Sequence, residues 1–169
     1  MKCGIIFIGV VIVIDLIFNA LELATVMTNE YFDVYYGIVF LIFVVILLVA
    51  VGLMSYYWIA ADSKDSRAVV PWGFLLAAIA NLLIFIWVLV YILALYKKDK
   101  VYVPKTIDWG GSSESAADDP DEDPKKSSNY YKMTKGNYLL GHVITPFFNA
   151  ILFFVFWWTA RGWVERHAN

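Results

Sequence analysis

The chain has 169 residues, of which 61% are hydrophobic, and its mean hydropathy is +0.67. A soluble domain of this length cannot bury so much apolar surface, because small domains leave a large fraction of their surface exposed. The formal net charge is −2, and the basic residues form no stripe suited to nucleic acid.

The hydrophobic residues lie in four blocks, each long enough to cross about 30 Å of hydrocarbon at about 1.5 Å per residue. The blocks run from Gly4 to Met27, Tyr35 to Ala60, Val69 to Tyr96 and Asn137 to Ala160. This pattern predicts an all-α membrane protein with a single domain over residues 1–169. The expected architecture is an antiparallel bundle of four transmembrane helices, with a long acidic polar loop over residues 97–135 between helices 3 and 4.

The first block begins like a signal peptide, with Lys2 before an apolar run. The run continues well past the usual length of such a segment, so we interpret it as the first spanning helix. It contains Asp15, Asn19 and Glu22, whose i, i+4 and i+7 spacing places them on one helix face. An intramembrane carboxylate costs about 2.5–3.5 kcal/mol on insertion scales. Such residues normally face the bundle interior and find partners.

Cys3 is the only cysteine, which excludes an intramolecular disulfide. Its position just before the first hydrophobic block makes it a candidate for palmitoylation if the N-terminus is cytoplasmic. An unmodified thiol at the interface is the alternative.

The second and third blocks contain few polar residues. Asn81 lies near mid-depth of helix 3 and is expected to join the polar residues of helix 1. Aromatic side chains in helices 2, 3 and 4 are expected to face outward and to offer contact area to a partner or to lipid. These residues are Phe40, Phe43, Phe85, Trp87, Phe153 and Phe154.

The middle of the loop reads "GGSSESAADDPDEDPKKSS", which cannot form a hydrophobic core and taken alone should be disordered. At its start, Val101, Val103, Ile107 and Trp109 are expected to lie on a membrane or a partner. We expect the loop to contact a neighbouring copy of the chain through its acids and its flanking lysines. The residues assigned to this assembly loop are Trp109, Asp118, Asp119, Asp121, Glu122 and Asp123.

The spacing of Asp119, Asp121 and Asp123 is similar to the first ligands of an EF-hand calcium loop. The match then fails, because Pro124 stands where the turn glycine belongs and Tyr130 where the bidentate Glu belongs. A solvated acidic run is the favoured interpretation. We therefore predict no metal site and no cofactor, with calcium at these three residues as the alternative.

The fourth block contains a second polar stripe, formed by His142, Thr145 and Asn149. Their i, i+3 and i+7 spacing again defines one helix face. Because helices 1 and 4 are antiparallel, depth pairs Asp15 with Asn149, Asn19 with Thr145, and Glu22 with His142. Pro146 frees the carbonyl of His142 beside this stripe.

We interpret the two stripes as a zipper that joins helix 1 to helix 4 and closes the bundle. The zipper predicts that Asp15→Leu is tolerated if Asn149 finds another partner. The alternative function of the same residues is passage of protons or cations, as in a small channel or transporter subunit that uses Asp15 and Glu22. Against this alternative, the stripe ends near Asp15, and only Lys2 is ionisable between Met1 and Ile14.

The sequence contains no Gly-rich phosphate loop, no HExxH motif, no nucleophile elbow and no Cys/His zinc pattern. Two histidines and one cysteine leave little material for a catalytic constellation. We therefore expect that the protein is not an enzyme.

An even number of helices places both termini on one side of the membrane. That side holds its basic residues in short segments, which favours cytoplasmic termini. The loop contains more lysines in total, so a simple count favours the opposite orientation. We expect cytoplasmic termini, in the plasma membrane or an endomembrane.

The opening "KCGIIFIGVVIVIDLIFNALEL", together with four helices and short terminal tails, resembles eukaryotic tetraspan membrane proteins of the MARVEL and lysosome-associated kinds. Tetraspanins and claudins are disfavoured because their extracellular loops contain disulfide cysteines. The resemblance implies a membrane-organising or trafficking role and cytoplasmic termini. We predict a scaffold or structural subunit that assembles laterally in the lipid, as a homo-oligomer or within a larger membrane complex.

Overall fold

Four long helices make up most of the described part of the chain. The computed structural model describes residues 2–29, 31–60, 64–104, 114–115 and 130–167. The helices are α1 (Lys2–Thr28), α2 (Val34–Ile59), α3 (Lys64–Val90) and α4 (Lys135–His167). Each is long and apolar enough to cross a membrane. The chain is thus an all-α, multi-pass membrane protein, as the hydropathy pattern predicts.

Two helices extend beyond their predicted limits. Helix α3 begins at Lys64 rather than Val69, and α4 runs from Lys135 to His167. Hydropathy detects only the apolar part of a helix, whereas backbone hydrogen bonding can continue through polar turns. Helix α3 ends in a π-helical turn over Tyr91–Leu95, where the amide of Tyr96 donates to the carbonyl of Tyr91 at 2.7 Å.

The helices pack in chain order. Helix α1 packs on α2, α2 packs on α3, and α3 packs extensively on α4. Small residues allow close approach at these contacts: Gly9 of α1 meets the ring of Trp58, and Gly73 of α3 meets Met54. Over the described residues, the backbones of α1 and α4 make little contact with each other. We call this gap between α1 and α4 the seam.

The expected outward set of aromatic residues is only partly correct. Phe40 and Phe153 are completely buried, whereas Phe154 is 52% exposed. Phe40 lies on the same α2 face as Tyr36, Val44 and Leu47, all of which are buried in the core. Phe43, Phe85 and Trp87 are half-buried against that core. In a hydrophobic helix, the sequence does not reveal which apolar face meets protein and which meets lipid.

A small antiparallel sheet covers the loop-side ends of the helices. Its strands are β1 (Lys100–Pro104), β2 (Glu114–Ser115) and β3 (Tyr130–Thr134), in the order β1-β3-β2. The β1–β3 register pairs Lys100 with Thr134 and Pro104 with Tyr130. Val101 and Val103 are buried within the chain's own core. The expectation that they lie on a membrane or a partner is therefore wrong.

The sheet is attached to the helices through the turn that joins α1 to α2. The side-chain amide of Asn29 donates to the carbonyl of Tyr102 at 2.8 Å, and Asn29 is buried. The ring of Tyr31 stacks on that of Tyr102, with centroids 4.2 Å apart. The ammonium of Lys98 lies 4.3 Å from the Tyr31 ring centroid, within cation–π range. These contacts place the sheet directly above the loop-side end of α1.

Candidate functional site

The two polar stripes predicted from the sequence line one cavity at the seam. The cavity has a volume of about 460 Å³. Its polar lining comes from both helices: Asp15, Asn19, Glu22, His142, Thr145 and Asn149. Asn81 of α3, the remaining predicted member, reaches Asp15 from behind and is fully buried. The periodicity of the sequence thus identified side chains that the tertiary structure brings together.

Asp15 is the centre of a hydrogen-bonded cluster that joins three helices. Its Oδ1 accepts from the amide of Asn149 at 2.8 Å and from that of Asn19 at 3.1 Å. Its Oδ2 accepts from the amide of Asn81 at 2.7 Å. Asn19 also donates to the backbone carbonyl of Asp15 at 2.8 Å. Three amide donors therefore surround one buried carboxyl group, which meets the usual requirement for a polar group at this depth.

Glu22 lies in a different environment, about two turns nearer the loop side. Its Oε1 is shielded from solvent and has no hydrogen-bond partner among the described residues. Glu22 and His142 border the same hollow of about 20 Å³ beneath the sheet, which Asn29 and Val103 also line. The His142 ring stacks on Tyr138, with centroids 4.0 Å apart, and its Nδ1 lies 2.9 Å from the Tyr138 carbonyl. Glu22 is thus the one carboxylate of the seam without amide donors in the described part of the chain.

The predicted zipper has a direct hydrogen bond at the level of Asp15 and Asn149, and Glu22 and His142 also lie together at the edge of one hollow. Asp15 and Asn149 are directly bonded, as the depth matching requires. Within the described residues, no side-chain bond joins Asn19 to Thr145, although both line the cavity. The two stripes do not pack against each other along their whole length: in the described part of the chain α1 and α4 make few backbone contacts, and a cavity lies between them beside the Asp15–Asn149 bond.

The cavity is accessible from the side, at bilayer depth. Phe18 and Ile14, on the α1 wall of the cavity, are 56% and 47% exposed. On the α4 wall, Gly141 and Thr145 are exposed. The cavity between these residues is also lined by the half-buried Glu22, His142 and Asn149, whereas Asp15 and Asn19 are buried. Polar side chains this close to lipid are uncommon and costly in a membrane protein.

The remaining predicted site residues lie outside what the structure describes. These are the side chain of Cys3 and all six assembly-loop residues, Trp109, Asp118, Asp119, Asp121, Glu122 and Asp123. The calcium alternative falls on the same loop. Among the described residues there is no group of His, Cys, Asp and Glu side chains arranged to hold a metal ion.

Sequence reasoning missed the contribution of the loop flanks to the site. Strand β1 places Val103 and Pro104 above Glu22 as a roof over the hollow. Tyr96, just beyond the end of α3, is buried under this sheet, and burial raises the pKa of its phenol above the usual value. The alternating Val101-Tyr102-Val103 segment was the available signal, but three residues are too few for a confident strand assignment.

Comparisons of the chain with protein-family models, with curated proteins and with solved structures find no significant match. No matching relative therefore assigns a role to the seam cavity.

Proposed function

We propose that this multi-pass membrane protein is a non-enzymatic structural subunit that assembles laterally with a partner at the seam. The observation that supports the proposal is the cavity between α1 and α4, which presents polar side chains to the bilayer. The three pairs of helices that are consecutive in the chain are in direct contact, so the seam between α1 and α4 is the site at which a further helix fits.

The physical driving force is the cost of polar groups next to lipid. A charged side chain at the centre of a spanning helix costs about 2.5–3.5 kcal/mol on insertion scales. Asp15 is compensated by three amide donors, whereas Oε1 of Glu22 has no donor among the described residues. A partner that covers the seam and donates to Glu22 removes this cost, and the gain favours the assembled state.

The proposal extends to the character and orientation of the protein. The absence of catalytic motifs from the sequence supports a role other than catalysis. The basic residues in short terminal-side segments support cytoplasmic termini. The four-helix architecture and the opening sequence support membership of the MARVEL-like or lysosome-associated tetraspan kind, with an organising or trafficking role.

Filling the seam tests the proposal. A Cβ built at Gly141 has no neighbour within 4 Å, so Gly141→Trp places an indole at the cavity without a clash at that atom. Gly52, on the exposed side of α2, likewise has no neighbour within 4 Å, which makes Gly52→Trp the matched control. Native mass spectrometry of the protein, extracted from its membrane with surrounding lipid, should show an assembly for the parent chain and for Gly52→Trp. Gly141→Trp should be found alone.

The same measurement distinguishes assembly at the seam from assembly through the loop. Deletion of residues 116–124 removes all five acids assigned to the predicted assembly loop and should leave a seam-built complex intact. Loss of the complex on deletion, with retention in Gly141→Trp, would move the assembly site from the seam to the loop. A chain that is monomeric in every form would rule out both.

A transport role is the second candidate, and one observation favours it. A row of polar groups leads from the hollow beneath the sheet, past Glu22 and His142, to Asp15. Beyond Asp15, toward the termini, the inward face of α1 consists of Ile5, Ile8 and Ile12, all buried. The polar row therefore covers half of the membrane, which disfavours a through-path. Vesicles containing the protein should show no more proton or cation flux than empty vesicles, and a flux abolished by Glu22→Gln would favour transport.

A further inference from the structure

We infer that the partner at the seam is a transmembrane helix of a different chain, and that its lysine or arginine pairs with Glu22. The inference rests on the proposed function and specifies the chemistry of its partner. Glu22 is six residues before the end of α1 at Thr28, which places it about 9 Å below the loop-side end of the helix. The partner's basic residue should lie at this depth.

The side chain of Glu22 determines which kind of group the partner helix must supply. Oε1 of Glu22 has no hydrogen-bond partner among the described residues, and a carboxyl oxygen accepts hydrogen bonds, so its partner should be a donor. Within the described residues the chain supplies donors to Asp15 but none to Oε1 of Glu22. A cationic donor forms the strongest such bond, and pairing also compensates the cost of the cation's own insertion.

The size and shape of the cavity suit a long side chain. The cavity of about 460 Å³ exceeds the volume of a lysine or arginine side chain, and its walls include the apolar residues Val11, Ile14 and Phe18. A lysine stem can lie along such apolar walls while its ammonium reaches a polar end. Glu22 and His142 form that end, next to the sheet.

A second copy of the chain does not provide this chemistry. The sequence has no Lys or Arg between Lys2 and Lys64, between Arg67 and Lys97, or between Lys135 and Arg161. All four helices therefore lack a lysine or arginine at the depth of Glu22, where α4 carries His142. A twofold dimer through the seam would place the seam residues of both copies at the same depth, where the described seam offers carboxyl, amide and imidazole groups but no lysine or arginine. Charge complementarity therefore favours a transmembrane helix of a different chain as the partner.

Synthetic helices test the pairing directly. The full-length protein, in a Cys3→Ser background and with a donor dye on Asp99→Cys, is reconstituted in phosphatidylcholine vesicles. Leucine- and alanine-rich spanning peptides bear an acceptor dye and one lysine about 9 Å from the loop-side end. One control peptide has leucine at that position, and another has its lysine near the opposite end. Energy transfer reports binding.

The lysine peptide should bind about tenfold more tightly than the leucine peptide, a difference typical of a hydrogen bond to a charged group. Glu22→Gln keeps the size of the side chain and should remove this preference. Gly141→Trp should abolish binding of every peptide, whereas Gly52→Trp should bind like the parent chain. The peptide with the displaced lysine should behave like the leucine peptide.

The outcomes separate this inference from the function on which it rests. Equal binding of the lysine and leucine peptides would overturn the basic partner while leaving lateral assembly at the seam intact. Retention of the native complex by Gly141→Trp would instead overturn assembly at the seam. If hexylamine alone displaces the lysine peptide completely at low concentration, the cavity is a site for a small amphipathic amine, and the helical partner is ruled out.

Discussion

Replacement of Asp15 by leucine should destabilise the folded bundle, because the carboxyl group is the shared acceptor of three amides. The substitution removes two bonds between helices, to Asn81 and Asn149, and one within α1, to Asn19. Interhelical hydrogen bonds in membranes contribute about 0.6 kcal/mol each. Asn81 is fully buried, so its released N–H stays without a partner, at a further cost of about 1–3 kcal/mol. We expect a total loss of roughly 2–4 kcal/mol.

Asp15→Asn is the matched control for this prediction. One oxygen remains to accept from Asn149 and Asn19. The new NH₂ group would face Asn81, whose Oδ1 is buried and has no hydrogen-bond partner among the described residues. Rotation of the Asn81 amide lets that oxygen accept from the new donor. The hydrogen bond that the Asn81 NH₂ group donates to the Ala77 carbonyl at 3.0 Å is then lost. We expect Asp15→Asn to lose about 1 kcal/mol or less.

Reversible unfolding in bicelles, followed by steric trapping, measures both variants on the same scale. A difference of about 2 kcal/mol between them corresponds to roughly a 30-fold change in the unfolding equilibrium. If Asp15→Leu is as stable as the parent chain, the cluster does not hold the helices together, and the tolerance expected from the sequence is correct. If Asp15→Asn is as unstable as Asp15→Leu, the amide rotation is wrong.

Two further predictions concern orientation and packing. In a Cys3→Ser background, a cysteine at the exposed Asp99 should react with an impermeant reagent from the non-cytosolic side, and one at the exposed Asp65 should not; the reverse pattern would invert the orientation. Gly9→Val should separate α1 from α2, because a Cβ at Gly9 meets the Trp58 ring, and thermal unfolding in detergent should occur at a lower temperature. Gly4→Val, with no neighbour within 4 Å, should unfold like the parent chain, and equal loss in both would refute the close contact.

The sequence by itself determined the number of helices, their approximate limits and the side chains of the polar cluster. Four apolar blocks are sufficient for the first result, because any segment in hydrocarbon must satisfy its backbone hydrogen bonds within a helix. Helical periodicity identified the polar cluster, since Asp15, Asn19 and Glu22 share a face in any α-helix. The pairing of Asp15 with Asn149 followed from antiparallel depth alone.

Only the tertiary structure decided how the helices are arranged around that cluster. Hydropathy does not encode which helices touch, because lipid and a neighbouring apolar helix are equally favourable surroundings for leucine or phenylalanine. The sequence could therefore not reveal that Phe40 and Phe153 are buried, or that Asn81, which it placed with the polar residues of helix 1, bonds directly to Asp15. For the same reason, it could not show that α1 and α4 remain apart, so that the two stripes line a cavity at the seam.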